Sequence, residues 1–189
     1  MNTSSASEHT RVVIALAGRR VDAPDVKQPR VPSKNVDRVK ERIQALFTTR
    51  NAGALVCSAA CGADLLALEA AESQHLRRHV VLPFSREVFR RTSVVDRPGD
   101  WGTRYDRALD QVAKEDDLVV LGLREDDAGA YAATNSTILD DAALLARNLD
   151  LGILAVVVWD ESRGPGDITE QFLNEATRRD IEVAAVSTL

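Results

Sequence analysis

Six apolar runs punctuate the chain, at residues 12–17, 54–57, 80–84, 118–122, 153–159 and 181–186. Each is continuous rather than alternating, which is the pattern of a strand covered on both faces. The stretches between them carry helical spacing. Val36, Val39, Ile43, Leu46 and Phe47 fall on one face of a helix while Lys34, Arg38, Glu41 and Arg42 fall on the other, with Ser33 placed to cap it. After Gly62 come Leu65, Leu66, Leu68, Ala70 and Ala71, a broad apolar surface that predicts a well-buried helix. Ser85 caps a short helix, and Tyr105, Ala108, Leu109 and Val112 mark the next one. Ile138, Leu139, Ala142, Ala143 and Leu145 follow in another, and Asp167 with Glu170 forms a capping box for a last helix bearing Ile168, Phe172 and Ala176.

Repeated buried strands separated by helices predict an α/β, three-layer, Rossmann-like fold: a mainly parallel sheet, helices on both faces, right-handed crossovers. Two segments break the rhythm. Residues 21–32 contain three prolines and read as an ordered but irregular surface loop; residues 92–102, polar and rich in Gly and Pro yet containing Trp101, read as a partly ordered flap. Residues 1–10 are small and polar, a flexible tail, and residues 11–189 make a single domain.

Composition narrows the function classes. At 44% apolar and 28% charged residues the chain can bury a core, which excludes wholesale disorder. A net charge of -5 gives no general attraction to a nucleic-acid backbone, so nucleic acid is a disfavoured partner. Cys57, Cys61, His9, His75 and His79 complete no recognisable metal-ligand set, and neither a metal nor a cofactor is expected. No stretch has the length of a membrane span or the form of a signal peptide, so the expectation is a cytoplasmic protein with reduced thiols and no membrane partner.

The stretch from Ser58 to Asp64 is the candidate centre. It links a buried strand to a helix through small side chains only, so that helix amides and the helix dipole can face an anion. In a parallel α/β sheet, ligands bind where loops leave the carboxyl ends of the strands. Residues 18–20, 58–64, 83–85 and 160–166 are therefore expected to converge on one crevice. The competing reading of the small-residue turn is tight packing alone; the coincidence with a helix start favours a ligand.

A first strand ending in Ala17-Gly18-Arg19-Arg20, then Ser58-Ala59-Ala60-Cys61-Gly62-Ala63-Asp64 before an alanine-rich helix, then Trp159-Asp160 before a glycine turn, resembles the SLOG superfamily. That group includes the DNA-processing protein A family, the Lonely Guy phosphoribohydrolases and nucleotide-sensing domains of bacterial conflict systems. The resemblance implies that a phosphate or ribose is held at Ser58, Ala60, Gly62, Ala63 and Asp64, with Ala59 and Cys61 in the same turn. The family's Gly-x-Arg falls on Gly18 and Arg20, with Arg19 in the variable place, and marks Arg20 as the charged phosphate contact, since a guanidinium binds such oxygens in a fork. The phosphoribohydrolase motif has an echo at residues 98–106, where its middle glycine and its glutamate are both replaced by aspartates. Asp106 is then the candidate catalytic carboxylate.

Further candidates are Pro83, Phe84, Ser85, Asp160, Gly164 and Gly166 on the converging turns. Trp101 and Tyr105, flanked by Arg97 and Arg104, read equally well as base-stacking groups or as loop anchors, and Asn135 as a cap or a polar site residue. Arg86, Arg90 and Arg91 read as a solvated face, Cys61 as small rather than reactive, and Asp140 and Asp141 as diverging on their helix. The leading expectation is a binding or sensing domain for a nucleotide or nucleotide-derived ligand, acting through a homo-oligomer or a separate effector protein. The alternatives are hydrolysis of a nucleotide N-glycosidic bond and, below it, single-stranded DNA binding.

Overall fold

A computed structural model describes residues 11–189; the tail expected at residues 1–10 lies outside them. Six parallel strands form one sheet in the order β4-β3-β2-β1-β5-β6. They are β1 (Val12–Gly18), β2 (Ala52–Cys57), β3 (Arg77–Leu82), β4 (Leu118–Val120), β5 (Gly152–Trp159) and β6 (Glu182–Ser187). Six α-helices connect them: α1 (Val36–Thr49), α2 (Ala63–Ser73), α3 (Arg86–Ser93), α4 (Trp101–Lys114), α5 (Ala130–Leu149) and α6 (Ile168–Arg178). The α/β Rossmann-like class read from the apolar runs is the observed one.

Strand alternation sorts the core into two layers. Ile14, Leu16, Leu55, Cys57, Val80, Leu82, Leu154, Val156 and Val158 point to the face covered by α1 to α4. Val13, Ala15, Ala54, Val56, Val81, Ala155 and Val157 point to the other, where Ile138, Leu139 and Ala142 of α5 and Phe172 and Ala176 of α6 cover them. Apolar burial on both faces is what a continuous apolar strand requires.

The chain builds outward from β1 through β2, β3 and β4, then α5 carries it back across the sheet to β5 on the far side of β1. The direction of winding therefore reverses between β1 and β5. At such a switch point the loops leaving two neighbouring strands diverge to opposite faces and leave a crevice.

Three boundaries differ from the expected pattern. Ser33 does not cap α1: a single 3-10 turn (Ser33–Asn35) comes first, and Asn35 stands at the start of α1 with no side-chain cap. The flap is shorter than expected, because α3 runs to Ser93 and α4 already starts at Trp101, leaving residues 94–100 irregular. Helix α5 begins at Ala130, well before its first recognisable apolar pair, because Tyr131, Thr134 and Asn135 in its first two turns line a cleft. The expected caps at Ser85 and Asp167 are present, accepting from Val88 N and Glu170 N.

Candidate functional site

Two glycines bring the β1 and β2 exits together. A Cβ on Gly18 would lie 2.4 Å from Ala63 Cβ and 2.8 Å from Val158 Cβ, so α2 closes onto β1 only because that position is bare. Gly62 has φ +105, and a Cβ there would lie 2.6 Å from Val21 N and 2.8 Å from Arg19 O. Arg20 and Gly62 form an isolated bridge, and Ala63 N donates to Arg19 O at 3.1 Å. Part of the smallness of the 58–64 turn thus serves protein packing. Its amides are also partly engaged: Ala60 N donates to Asp64 Oδ2 at 3.1 Å and Cys61 N to Ser93 O at 3.0 Å.

Above this junction lies a cleft of about 860 Å³, inside the range of small-molecule sites, about 300–1,000 Å³. Its floor is residues 16–20 at the end of β1 together with Ser58, Ala60 and Asp64. One wall is α5, through Tyr131, Thr134, Asn135 and Ile138; the other is the loop after β5, residues 160 and 162–169. The proline-rich loop closes the end, held by Asp22, whose carboxylate accepts from Arg30 N at 3.1 Å and Val31 N at 3.0 Å.

Of the sequence candidates, Gly18, Arg19, Arg20, Ser58, Ala60, Asp64, Arg97, Asn135, Asp160, Gly164 and Gly166 line this cleft. Ala59, Cys61, Gly62 and Ala63 are in the same turn but beneath its surface; Ala59, Cys61 and Ala63 are core. Pro83, Phe84 and Ser85 leave β3, two strands from β1, and do not reach it: Pro83 O accepts from Leu123 N, Phe84 is buried against Tyr131, and Ser85 caps α3. Trp101 and Tyr105 are core residues, of which Trp101 donates from Nε1 to Pro98 O and Tyr105 from its hydroxyl to Arg86 O. The anchor reading of these aromatics is the one their positions match. Arg104 stacks on Trp101 and forks onto Glu69.

Asp106 lies on α4 outside the cleft, gripped by Arg90 at 3.1 Å and exposed by 42%. It faces the α3 arginines, so the echo at residues 98–106 sits on a helix surface rather than at a strand end. Asp140 and Asp141 diverge, to Arg179 and His79 respectively.

The cleft's charges fall into two groups. Buried Arg19 donates to Asp160 at 3.1 Å, to Ser162 O at 2.6 Å and to Asp167, while Arg30 donates to Asp167 at 2.8 Å. Two cations and two carboxylates thus match, clasping the β1 loop to the β5 loop. Burial opposes ionisation of Asp167, but the Glu170 amide and both arginines hold its pKa below the usual carboxylate value. Sequence reasoning missed Asp22, Arg30 and Asp167 as cleft residues; Ser162 lies within the 160–166 turn that was expected to reach the crevice. The capping box at Asp167 was visible, yet nothing local signals that the same carboxylate reaches Arg19.

The second group surrounds Arg20. Its guanidinium meets Asp96 and the Cys61 thiol; burial disfavours the charge, but these neighbours outweigh burial and raise its pKa. Arg20 Nε and Ser58 Oγ, both on cleft residues, are buried without a hydrogen-bond partner among the described residues. Buried polar atoms of this kind are uncommon in native folds and mark places where a ligand or water completes the bonding. Burial pushes the carboxyl of Asp64 up to about 7 against the pull of the Ala60 amide and Arg20, and pushes the thiols of Cys57 and Cys61 up as well. Cys61 is therefore a poor nucleophile. No three His, Cys, Asp or Glu among the described residues are grouped to hold a metal, and no helix among them is long and apolar enough to cross a membrane.

Comparison with solved structures matches the chain to the X-ray structure of DNA processing protein A from Streptococcus pneumoniae. The match has 13% identity and a TM-score of 0.41, covering 95% of this chain. The chain spans 59% of that protein's length. No family model matches the sequence, and no curated protein does.

Proposed function

We propose that this chain is a nucleotide-binding domain of the SLOG type that recognises a phosphate-bearing nucleotide or nucleotide-derived ligand in the cleft between β1 and β5. The observation that carries the reading is that Arg20 Nε and Ser58 Oγ, both buried and without a hydrogen-bond partner among the described residues, belong to residues that line that cleft. Phosphate oxygens accept from both. The α5 wall offers Tyr131 and Ile138 to an apolar base, and Asn135, whose Nδ2 donates to Ile168 O at 3.0 Å, has an amide oxygen to offer. Binding rather than turnover is favoured because Asp106, the carboxylate of the hydrolase echo, lies outside the cleft.

Titration calorimetry with nucleoside mono- and diphosphates, cyclic nucleotides and NAD-derived compounds tests this. Saturable heat that is lost in Ser58→Ala and Arg20→Gln is the expected result, and absence of binding across the whole series sinks the reading.

A hydrolytic version has one observation in its favour. Asp64 lines the cleft as a carboxyl that titrates at about 7, a value suited to general acid–base work on an N-glycosidic bond. Chromatography of released base decides it: no base from any bound monophosphate removes the hydrolase.

A further inference from the structure

Beside the cleft a single carboxylate serves two guanidiniums. Arg20 Nη2 bonds both oxygens of Asp96, and Arg97 Nη1 donates to Asp96 Oδ2 at 2.6 Å. Arg97 is itself fixed, its Nε donating to Val21 O at 3.2 Å in the β1 loop. Both arginines line the cleft, whereas Asp96 reaches in from the irregular residues 94–100 between α3 and α4.

Charge counting separates this cluster from its neighbour. The clasp of Arg19 and Arg30 with Asp160 and Asp167 is matched, two against two. In the Arg20–Arg97 cluster two guanidiniums share one bonded carboxylate. Asp22 keeps its charge but bonds neither guanidinium, its oxygens accepting from the Arg30 and Val31 amides. The cluster also leaves a donor unused, Arg20 Nε, and the same cleft lining holds a second, Ser58 Oγ; neither has a hydrogen-bond partner among the described residues. A carboxylate brings one charge and two oxygens; a phosphate monoester brings up to two charges and three oxygens, enough to satisfy both guanidiniums and the hydroxyl together.

We propose that Asp96 is a built-in counter-anion of the ligand site: it occupies the Arg20–Arg97 subsite in the free protein, and the phosphate of the incoming ligand exchanges with it. This rests on the nucleotide reading above and adds its regulation. The exchange releases Asp96, and with it residues 94–100, from the two arginines, so that an event at the floor is transmitted to an outer segment. Ligands without a phosphate do not drive the exchange.

The test is titration calorimetry of wild type, Asp96→Asn and Asp96→Ala with inorganic pyrophosphate, which carries no base, and with the mononucleotide series. Removing the internal competitor tightens pyrophosphate by about fivefold, the scale of a partly exposed ion pair, while adenosine affinity is unchanged. Arg97→Gln leaves Arg20 charge-matched by Asp96 and weakens pyrophosphate. Wild type that binds nucleotides while both Asp96 variants bind pyrophosphate no tighter overturns the counter-anion proposal and leaves the nucleotide reading standing. Arg97→Gln that binds as wild type overturns it too. Wild type and variants that bind neither pyrophosphate nor any nucleotide overturn both.

Discussion

A methyl group on Gly18 would lie 2.4 Å from Cβ of Ala63, a separation no packed pair of carbons adopts. The bare α-carbon at the end of β1 is therefore what allows α2 to start against the sheet and carry the 58–64 turn to the cleft floor. Gly18→Ala overpacks that contact and should destabilise the fold by about 1–3 kcal/mol. Urea denaturation reads this as a lower midpoint with an unchanged slope. Gly164→Ala is the matched control, since a Cβ there meets nothing within 4 Å; it should stay within about 0.5 kcal/mol of wild type.

The two arginines of the loop clasp should differ sharply. Arg19 is 9% exposed and holds Asp160 and Asp167, both 6% exposed, whereas the Arg30 side chain is 39% exposed. Arg19→Met leaves Asp160 and Asp167 to the half-exposed Arg30 alone and should cost about 1.5–3 kcal/mol, the loss of charge-assisted hydrogen bonds. Arg30→Met should cost at most about 1 kcal/mol. Equal midpoints for the two variants in chemical denaturation would show that burial does not make Arg19 the stronger half of the clasp.

Asp64 sets a pH dependence of definite sign. Its folded-state value of about 7 lies above the unfolded value of about 3.9. Between those values the folded chain keeps a proton that the unfolded chain has released, so stability falls as pH rises from about 4 to about 7 and levels off beyond. Asp64→Asn removes that slope. Its urea midpoint should gain on wild type steadily across this window, and a difference independent of pH would refute the burial of an uncharged acid.

Asp106→Asn should leave nucleotide affinity, and any release of base, within about twofold of wild type. Its carboxylate is 42% exposed and committed to Arg90 and Arg86 on the helix surface, so the stability loss should also stay below about 1 kcal/mol. A collapse of activity in this variant would restore the phosphoribohydrolase echo that its position argues against.

The fold was legible because each signal acts over a few residues. Continuous apolar runs mark buried strands, and periodic apolar faces mark helices, wherever burial decides the residue. Helix α5 shows the limit: its first two turns carry Tyr131, Thr134 and Asn135 toward the cleft, so no core periodicity announced its start. The site was half legible for a related reason. Gly18, Arg20, Ser58 and Asp64 stand at strand ends, where topology alone brings loops together. Arg30, Asp96 and Asp167 join through pairings between distant segments, such as Arg19 with Asp167, 148 positions apart, and no local pattern encodes those. Trp101 and Tyr105 stayed ambiguous in sequence, because aromatic side chains beside arginines look alike whether they stack on a ligand or, as here, Trp101 packs under Arg104 and Tyr105 bonds Arg86 O.

The reversal of winding between β1 and β5 bears on when the protein can function. Its cleft takes its floor from residues near the amino end, one wall from α5 and the other from residues 160–169, after the fifth strand. No contiguous stretch short of that contains the site, so a nascent or truncated chain that ends before α6 has no cleft to fill. Ligand binding then couples to the whole domain rather than to a lobe of it, and saturating ligand should raise the single global unfolding transition instead of splitting it. The cleft is in this sense a checkpoint on completed folding: only a molecule that has laid down five strands in order possesses it.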